Sequence, residues 1–196
     1  KTLTATASAS NKVYDGTTTA SVTLTFSGLV GSETLGQSVG ATFVDQNVAN
    51  AKNVTVNTIT LSDDGDSGGL ASNYSISTGQ TTTANITAKA LTIAGITASN
   101  KTYNGNTTAT IDASAATFTG LVDGDAVTVS ATGTFDNKNV GTNKTVTLTE
   151  TNAGDDVGNY SITDQGTTTA NITAKALTAT ASASNKVYDG TTTATA

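Results

Sequence analysis

The sequence predicts an all-β protein built from two tandem, elongated antiparallel β-domains, sandwich-like or β-grasp-like, and three observations carry that prediction. Forty-five of the 196 residues are Thr and nineteen are Gly, while charged residues make up only 12%. Thr suits a pleated, half-buried surface. Apolar residues alternate with Thr or Ser through most of the chain, the period of a strand with one face inward. Long segments also recur: Leu3–Ala20, LTATASASNKVYDGTTTA, returns letter for letter at Leu177–Ala194, and Thr81–Leu91, TTTANITAKAL, at Thr167–Leu177.

The recurrence divides the chain into repeat 1 (1–88), repeat 2 (89–174) and the truncated start of a third (175–196). Repeat 2 diverges but keeps its landmarks. Tyr14-Asp15-Gly16 becomes Tyr103-Asn104-Gly105, Phe26-Ser27-Gly28-Leu29-Val30 becomes Phe118-Thr119-Gly120-Leu121-Val122, and Asn73-Tyr74-Ser75-Ile76 becomes Asn159-Tyr160-Ser161-Ile162. Insertions fall at Ser114–Ala116 in repeat 2 and between Asp64 and Asn73 in repeat 1, which marks loops.

Six strands per repeat follow in order. In repeat 1 they span 2–9, 20–27, 38–45, 53–61, 73–79 and 81–90. Leu3, Ala5, Ala7 and Ala9 set the inward face of the first; Val22, Leu24 and Phe26 of the second; Val54 and Val56 of the fourth. Val127 with Val129, and Val146 with Leu148, mark counterparts in repeat 2. The sixth strand leads directly into the next repeat. From Thr167 to Lys186 there is no Gly or Pro, and apolar parity is even through Ala170, Ile172, Ala174 and Ala176, then odd from Leu177, Ala179 and Ala181. A parity switch turns the opposite face inward, as a strand leaving one core and entering the next would require. Ordered strand is expected at least through Ala174–Thr178, and Gly95 is read as a β-bulge in the matching segment of repeat 2.

Composition excludes several functions. The chain has no His, Cys, Pro, Met, Trp or Arg, and its net charge is −6. Zinc or haem ligation, a thiolate nucleophile and a Ser-His-Asp triad all lack their chemistry, so no enzyme is expected. An acidic chain without Arg is a poor nucleic-acid ligand. No apolar run is long enough to span a bilayer as a helix, and no signal peptide is visible. The chain begins at Lys1 and reads as part of something longer.

Tyr14-Asp15-Gly16, Tyr103-Asn104-Gly105 and Tyr188-Asp189-Gly190 read as tight turns: Asp or Asn closes an Asx hydrogen bond and Gly accepts positive φ. Each Tyr is expected to cover a core end and offer its hydroxyl to backbone, with Tyr74 and Tyr160 as further structural tyrosines. A catalytic Tyr would need a neighbouring base, and none is apparent. Asp63, Asp64 and Asp66 are the calcium candidates, although they fit neither an EF-hand loop nor a Gly-Gly-x-Gly-x-Asp repeat. Asn-x-Ser/Thr sequons are uninformative in so Thr-rich a chain, and no cofactor is assigned.

The series Lys-x-Leu-Thr, Asn-Lys-x-Tyr-Asp-Gly-Thr-Thr-Thr-Ala, Phe-x-Gly-Leu-Val, Asn-Tyr-Ser-Ile and Ala-Asn-Ile-Thr-Ala-Lys-Ala-Leu resembles the YDG-type repeat of large bacterial adhesins similar to filamentous haemagglutinin. The resemblance implies a surface or secreted location, Gram-negative and outer-membrane-associated. It implies a structural stalk whose rigid repeats carry a distal adhesive region for attachment or biofilm formation, without catalytic residues. The expected partners are neighbouring repeats of the same chain and, through other parts of the protein, a host or biofilm surface, with the fragment itself a monomer. The alternatives are that the repeats bind host glycan or a neighbouring adhesin, or, more remotely, that Thr arrays bind ice.

Overall fold

The computed structural model describes residues 1–195. Alternation produces strands where it was expected. Repeat 1 contains β1 (Thr4–Ala9), β2 (Lys12–Val13), β3 (Thr19–Ala20), β4 (Val22–Ser27), β5 (Gly36–Phe43), β6 (Ala49–Ser62) and β7 (Thr81–Thr87). β1 and β4 form an antiparallel pair that places Ala5 opposite Phe26 and Ala7 opposite Leu24. The other five strands form a sheet in the order β2-β7-β6-β5-β3, antiparallel except for the β2–β7 pair. Leu24, Phe43, Val54, Val56, Ala84 and Ile86 from both sheets are buried in one core, with Ala5, Ala7 and Ala9 packed against it. This is a sandwich-like arrangement, and the described residues contain no α-helix, only two short 3₁₀ turns at Ala71–Asn73 and Val157–Asn159.

Repeat 2 rebuilds the plan with β8 (Lys89–Ala94), β9 (Thr97–Ala98), β10 (Lys101–Thr102), β11 (Thr108–Ala109), β12 (Ile111–Asp112), β13 (Thr117–Thr119), β14 (Thr128–Phe135), β15 (Gly141–Ala153), β16 (Tyr160–Thr163) and β17 (Thr167–Thr173). Its large sheet runs β10-β17-β15-β14-β11, and its core holds Ile93, Ile96, Phe135, Val146, Leu148 and Ile172.

The differences from expectation have local causes. Gly95 is not a bulge within a ladder. At φ +88° it breaks the first strand into β8 and β9, and the backbone of Ala115 lies so close that a Cβ would meet it at 2.7 Å. The extra residue and the Ser114–Ala116 insertion therefore face each other. Gln165 bridges the gap: its amide accepts from Ile96 N–H and donates to Ile96 O, both at 2.8 Å. The strand expected at 73–79 contracts to a single bridge between Thr2 and Ser75, although its counterpart β16 pairs with β8 over four residues. Strand does not extend through Ala174–Thr178: β17 ends at Thr173, and the segment beyond is exposed. With no sheet beside it, backbone there has no ladder to join.

True bulges occur where none was anticipated, at Ala51 (φ 50°) in β6 and Asn143 (φ 48°) in β15. Asn85 holds the first: its carboxamide oxygen accepts from Ala51 N–H at 2.8 Å, while its own N–H donates to Asn11 Oδ1 at 2.7 Å. Asn171, Asn143 and Asn100 repeat the relay at 2.7 Å for both bonds. The recurring Ala-Asn-Ile-Thr motif thus fixes a strand irregularity through its Asn.

β7 and β8 are separated only by Ala88, and buried positions change parity across it, from Ala84 and Ile86 to Leu91 and Ile93. The chain passes from the large sheet of repeat 1 into the smaller sheet of repeat 2 without a linker, as the parity switch predicted.

Candidate functional site: the joint between repeats

The Asn-Lys-x-Tyr-Asp-Gly-Thr segment includes β2 and the turn that leads to β3, and its charged and polar side chains have distinct tasks. The Lys12 ammonium donates to Thr17 O at 2.8 Å and Thr19 O at 3.2 Å, pairs with Asp15 at 2.6 Å, and lies 5.8 Å from the Phe43 ring centroid. Asp15 closes the expected Asx turn by accepting from Thr17 N–H at 2.9 Å. Burial raises its carboxyl pKa, but Lys12 and the Thr17 donors outweigh that and leave it below the usual carboxylate range. In repeat 2, Asn104 keeps the turn by accepting from Asn106 N–H at 3.3 Å, and Asn106 joins Thr108 in receiving the Lys101 ammonium.

Tyr14 does not give its hydroxyl to backbone, as the sequence suggested. It is 2% exposed and donates to Asp125 Oδ2 of repeat 2 at 2.9 Å. Tyr160 donates to the same oxygen at 2.5 Å and accepts from Val122 N–H at 2.9 Å. The two rings meet edge to face, with centroids 5.6 Å apart and planes at 78°. One carboxylate thus clasps two phenols, one from each repeat, beneath an aromatic contact. A second link runs beside it: Val48 N–H donates to Asn159 Oδ1 at 3.0 Å, and Asn159 Nδ2 donates to Asn47 Oδ1 at 3.3 Å. Leu91, Val127 and Tyr160 of repeat 2 are consequently part of the apolar cluster built by repeat 1.

Burial, followed by the bond to Asp125, pushes the Tyr160 phenol up to about 12. The same causes raise Tyr14 further. Gly16, at φ +75°, sits against the joint, where a Cβ would lie 2.9 Å from Val122 Cγ1. Glycine is needed here both for its backbone conformation and for the close approach.

At the two ends of the pair the same groups are uncovered. Tyr74 accepts from Val30 N–H at 3.0 Å and donates to Glu33, which copies the Tyr160–Val122–Asp125 arrangement, yet Val30 is 54% exposed. At the far end, Tyr103 is only half-buried and Val140 is 55% exposed, where their counterparts Tyr14 and Val48 are covered. Tyr188-Asp189-Gly190 lies in the exposed segment, with Tyr188 93% exposed.

Asp63 and Asp64 are used in loop hydrogen bonds, and Asp66 joins them through its backbone N–H. Asp63 accepts from Ala71 N–H at 2.7 Å, and Asp64 accepts from Asp66 N–H at 3.0 Å and from the Thr34 hydroxyl. Among the described residues no three His, Cys, Asp or Glu side chains converge as metal ligands would. Sequence reasoning gave Asp125, Asn159 and Asn47 no role at the joint. The available signal was that the Asp123-Gly124-Asp125 turn aligns with Gly31-Ser32-Glu33, so that a carboxylate occupies the third position in both repeats.

The YDG domain family model matches residues 1–84 and again 87–170. No curated protein and no solved structure matches the chain.

Proposed function

Because the chain belongs to the YDG domain family in two successive copies, we propose that it is a structural stalk module, a rigid tandem array that projects a distal adhesive region of a bacterial surface or secreted protein. The observation that carries this reading is the joint. Two repeats connected by one residue between strands, and clasped through Asp125, Tyr14, Tyr160 and Asn159, lack the freedom of a linker.

A module of this kind transmits position rather than chemistry. The outer faces of β6, β14 and β15 are Thr-rich, and Tyr14, Asp125 and Asn159 are used to join one repeat to the next.

Small-angle scattering combined with spin-label distances between the repeats tests the proposal. The radius of gyration should exceed the ~16 Å of a compact globule of this length, and the inter-repeat distance distribution should be narrow. A compact radius or a broad distribution would overturn it. Saturable binding of glycans by the isolated chain would instead move function to the repeat faces.

A further inference from the structure

Tyrosine is the most easily oxidised side chain that this sequence contains. There are five Tyr and no Trp, Cys, Met or His, so a one-electron oxidant that meets the folded protein finds no competing indole, sulfur or imidazole. Without Cys, no disulfide can tie one repeat to the next. Among the described residues, Tyr14 and Tyr160 are the two tyrosines whose rings meet. One comes from each repeat, and they are 2% and 8% exposed within the joint that both repeats complete.

Their geometry matches the product of their coupling. Oxidative coupling joins the ring carbons next to the two hydroxyls, so in the resulting biphenol both hydroxyls flank the new bond and converge. The same convergence is already present here: Tyr14 and Tyr160 donate to a single oxygen, Asp125 Oδ2, at 2.9 and 2.5 Å. The ring centroids are 5.6 Å apart, and Val122 N–H fixes the Tyr160 oxygen from another side at 2.9 Å. Asp125 also supplies what a neutral phenol needs in order to lose an electron readily, a base within hydrogen-bond reach of its proton. Asp125 is itself half-buried, so a proton taken from either phenol can pass on to water.

We propose that the joint is a site of oxidative cross-linking, at which Tyr14 and Tyr160 couple through a carbon–carbon bond that joins the two repeats covalently. The co-reactant is a one-electron oxidant, used twice. Each phenol gives one electron to the oxidant and its hydroxyl proton to Asp125, which releases it to water before serving the second phenol. The two phenoxyl radicals combine at their ortho carbons. The hydrogen on each of those carbons then leaves as a proton, and a proton from water returns to each oxygen, which restores both aromatic phenols. The balance is two electrons to the oxidant and two protons to water, with one C–C bond formed and two C–H bonds broken. Asp125 positions both hydroxyls and accepts their protons. The inference rests on the geometry of the joint and holds for a stalk or for any other use of the repeats.

The test oxidises the whole chain in dilute solution with photogenerated tris(bipyridine)ruthenium(III) and persulfate, using Tyr188→Phe to remove the most exposed tyrosine. Cleavage after Lys leaves every tyrosine alone on its own peptide, Tyr14 on 13–52 and Tyr160 on 145–175, so mass spectrometry reads the pairing directly. Those two peptides should be found joined, two hydrogens lighter than their sum, with dityrosine fluorescence. Because the joint holds the rings together, this product should exceed any other tyrosine pair by about tenfold or more. In denaturant the preference should vanish. Asp125→Asn keeps an acceptor but is a far weaker base, and should lower the linked product by about tenfold or more while spin-label distances between the repeats stay narrow. The pairing in folded chain and its loss in denaturant decide the case even where Asp125→Asn loosens the joint. Tyrosine consumed without the 13–52 and 145–175 product, equal yields for all pairs, or an undiminished yield in Asp125→Asn would overturn the proposal. Narrow inter-repeat distances with no linked product would remove the cross-link and leave the stalk reading standing.

Discussion

Asp125 accepts from two phenols, so deleting either hydroxyl removes a bond to a charged acceptor while the ring remains. Tyr14→Phe should weaken the joint by about 1.5–3 kcal/mol, and a double-mutant cycle with Asp125→Ala, read by denaturant melts, should show most of that loss as coupling. Alkali should act on the same pair. Tyr14 and Tyr160 have folded pKa values raised above the ordinary tyrosine value of ~10, so their stabilisation is complete below pH ~10 and is lost as pH rises through the folded values. Inter-repeat distances should accordingly broaden between pH ~10 and ~12, and unchanged distances up to the higher value would contradict the assignment. Ala51 offers the opposite direction: it holds φ 50° where repeat 2 has Asn143, a residue that tolerates this region better. Ala51→Asn should raise stability by up to ~1 kcal/mol in a thermal melt. The Asx turns were legible at this scale because donor and acceptor are two residues apart. The partner of Tyr14 was not, because Asp125 lies 111 residues away and no periodicity connects them.

At the scale of elements, β5, β6, β14 and β15 were readable because eight or more residues give alternation room to repeat. β2 and β3 are two residues each and carry no period; only the parallel ladder to β7 and the antiparallel ladder to β5 define them. The end of β17 was misplaced for a related reason. Parity in Ala174–Thr178 describes the strand that the segment would form beside a neighbouring sheet, not one it forms alone. Deleting residues 175–196 should therefore leave hydrogen exchange in β15 and β17 unchanged, and increased exchange there would show that the segment supports repeat 2. The turn glycines give a finer comparison. Gly16 and Gly105 have φ +75° and +83°, but a Cβ at Gly105 meets nothing within 4 Å. Both Ala substitutions should cost ~1 kcal/mol or more from the backbone, and Gly16→Ala should lower the melting temperature further through its contact with Val122.

Over the whole molecule, the repeat was the most legible feature, since identity over Leu3–Ala20 and Leu177–Ala194 needs no structural reasoning to detect. The absence of a linker followed from it by parity, whereas the clasp that makes the joint specific required three segments to come together. The near-direct passage of β7 into β8 has a mechanical consequence. Tension applied to the chain enters repeat 2 along β8 and leaves along β17, strands that lie in different sheets. Their ladder bonds stand across the line of pull, so a load must shear a row of them together instead of peeling them one at a time. An array built this way resists stretching through its strands, and its first yielding element under force should be the joint, where Tyr14 slides from Asp125 before either core opens.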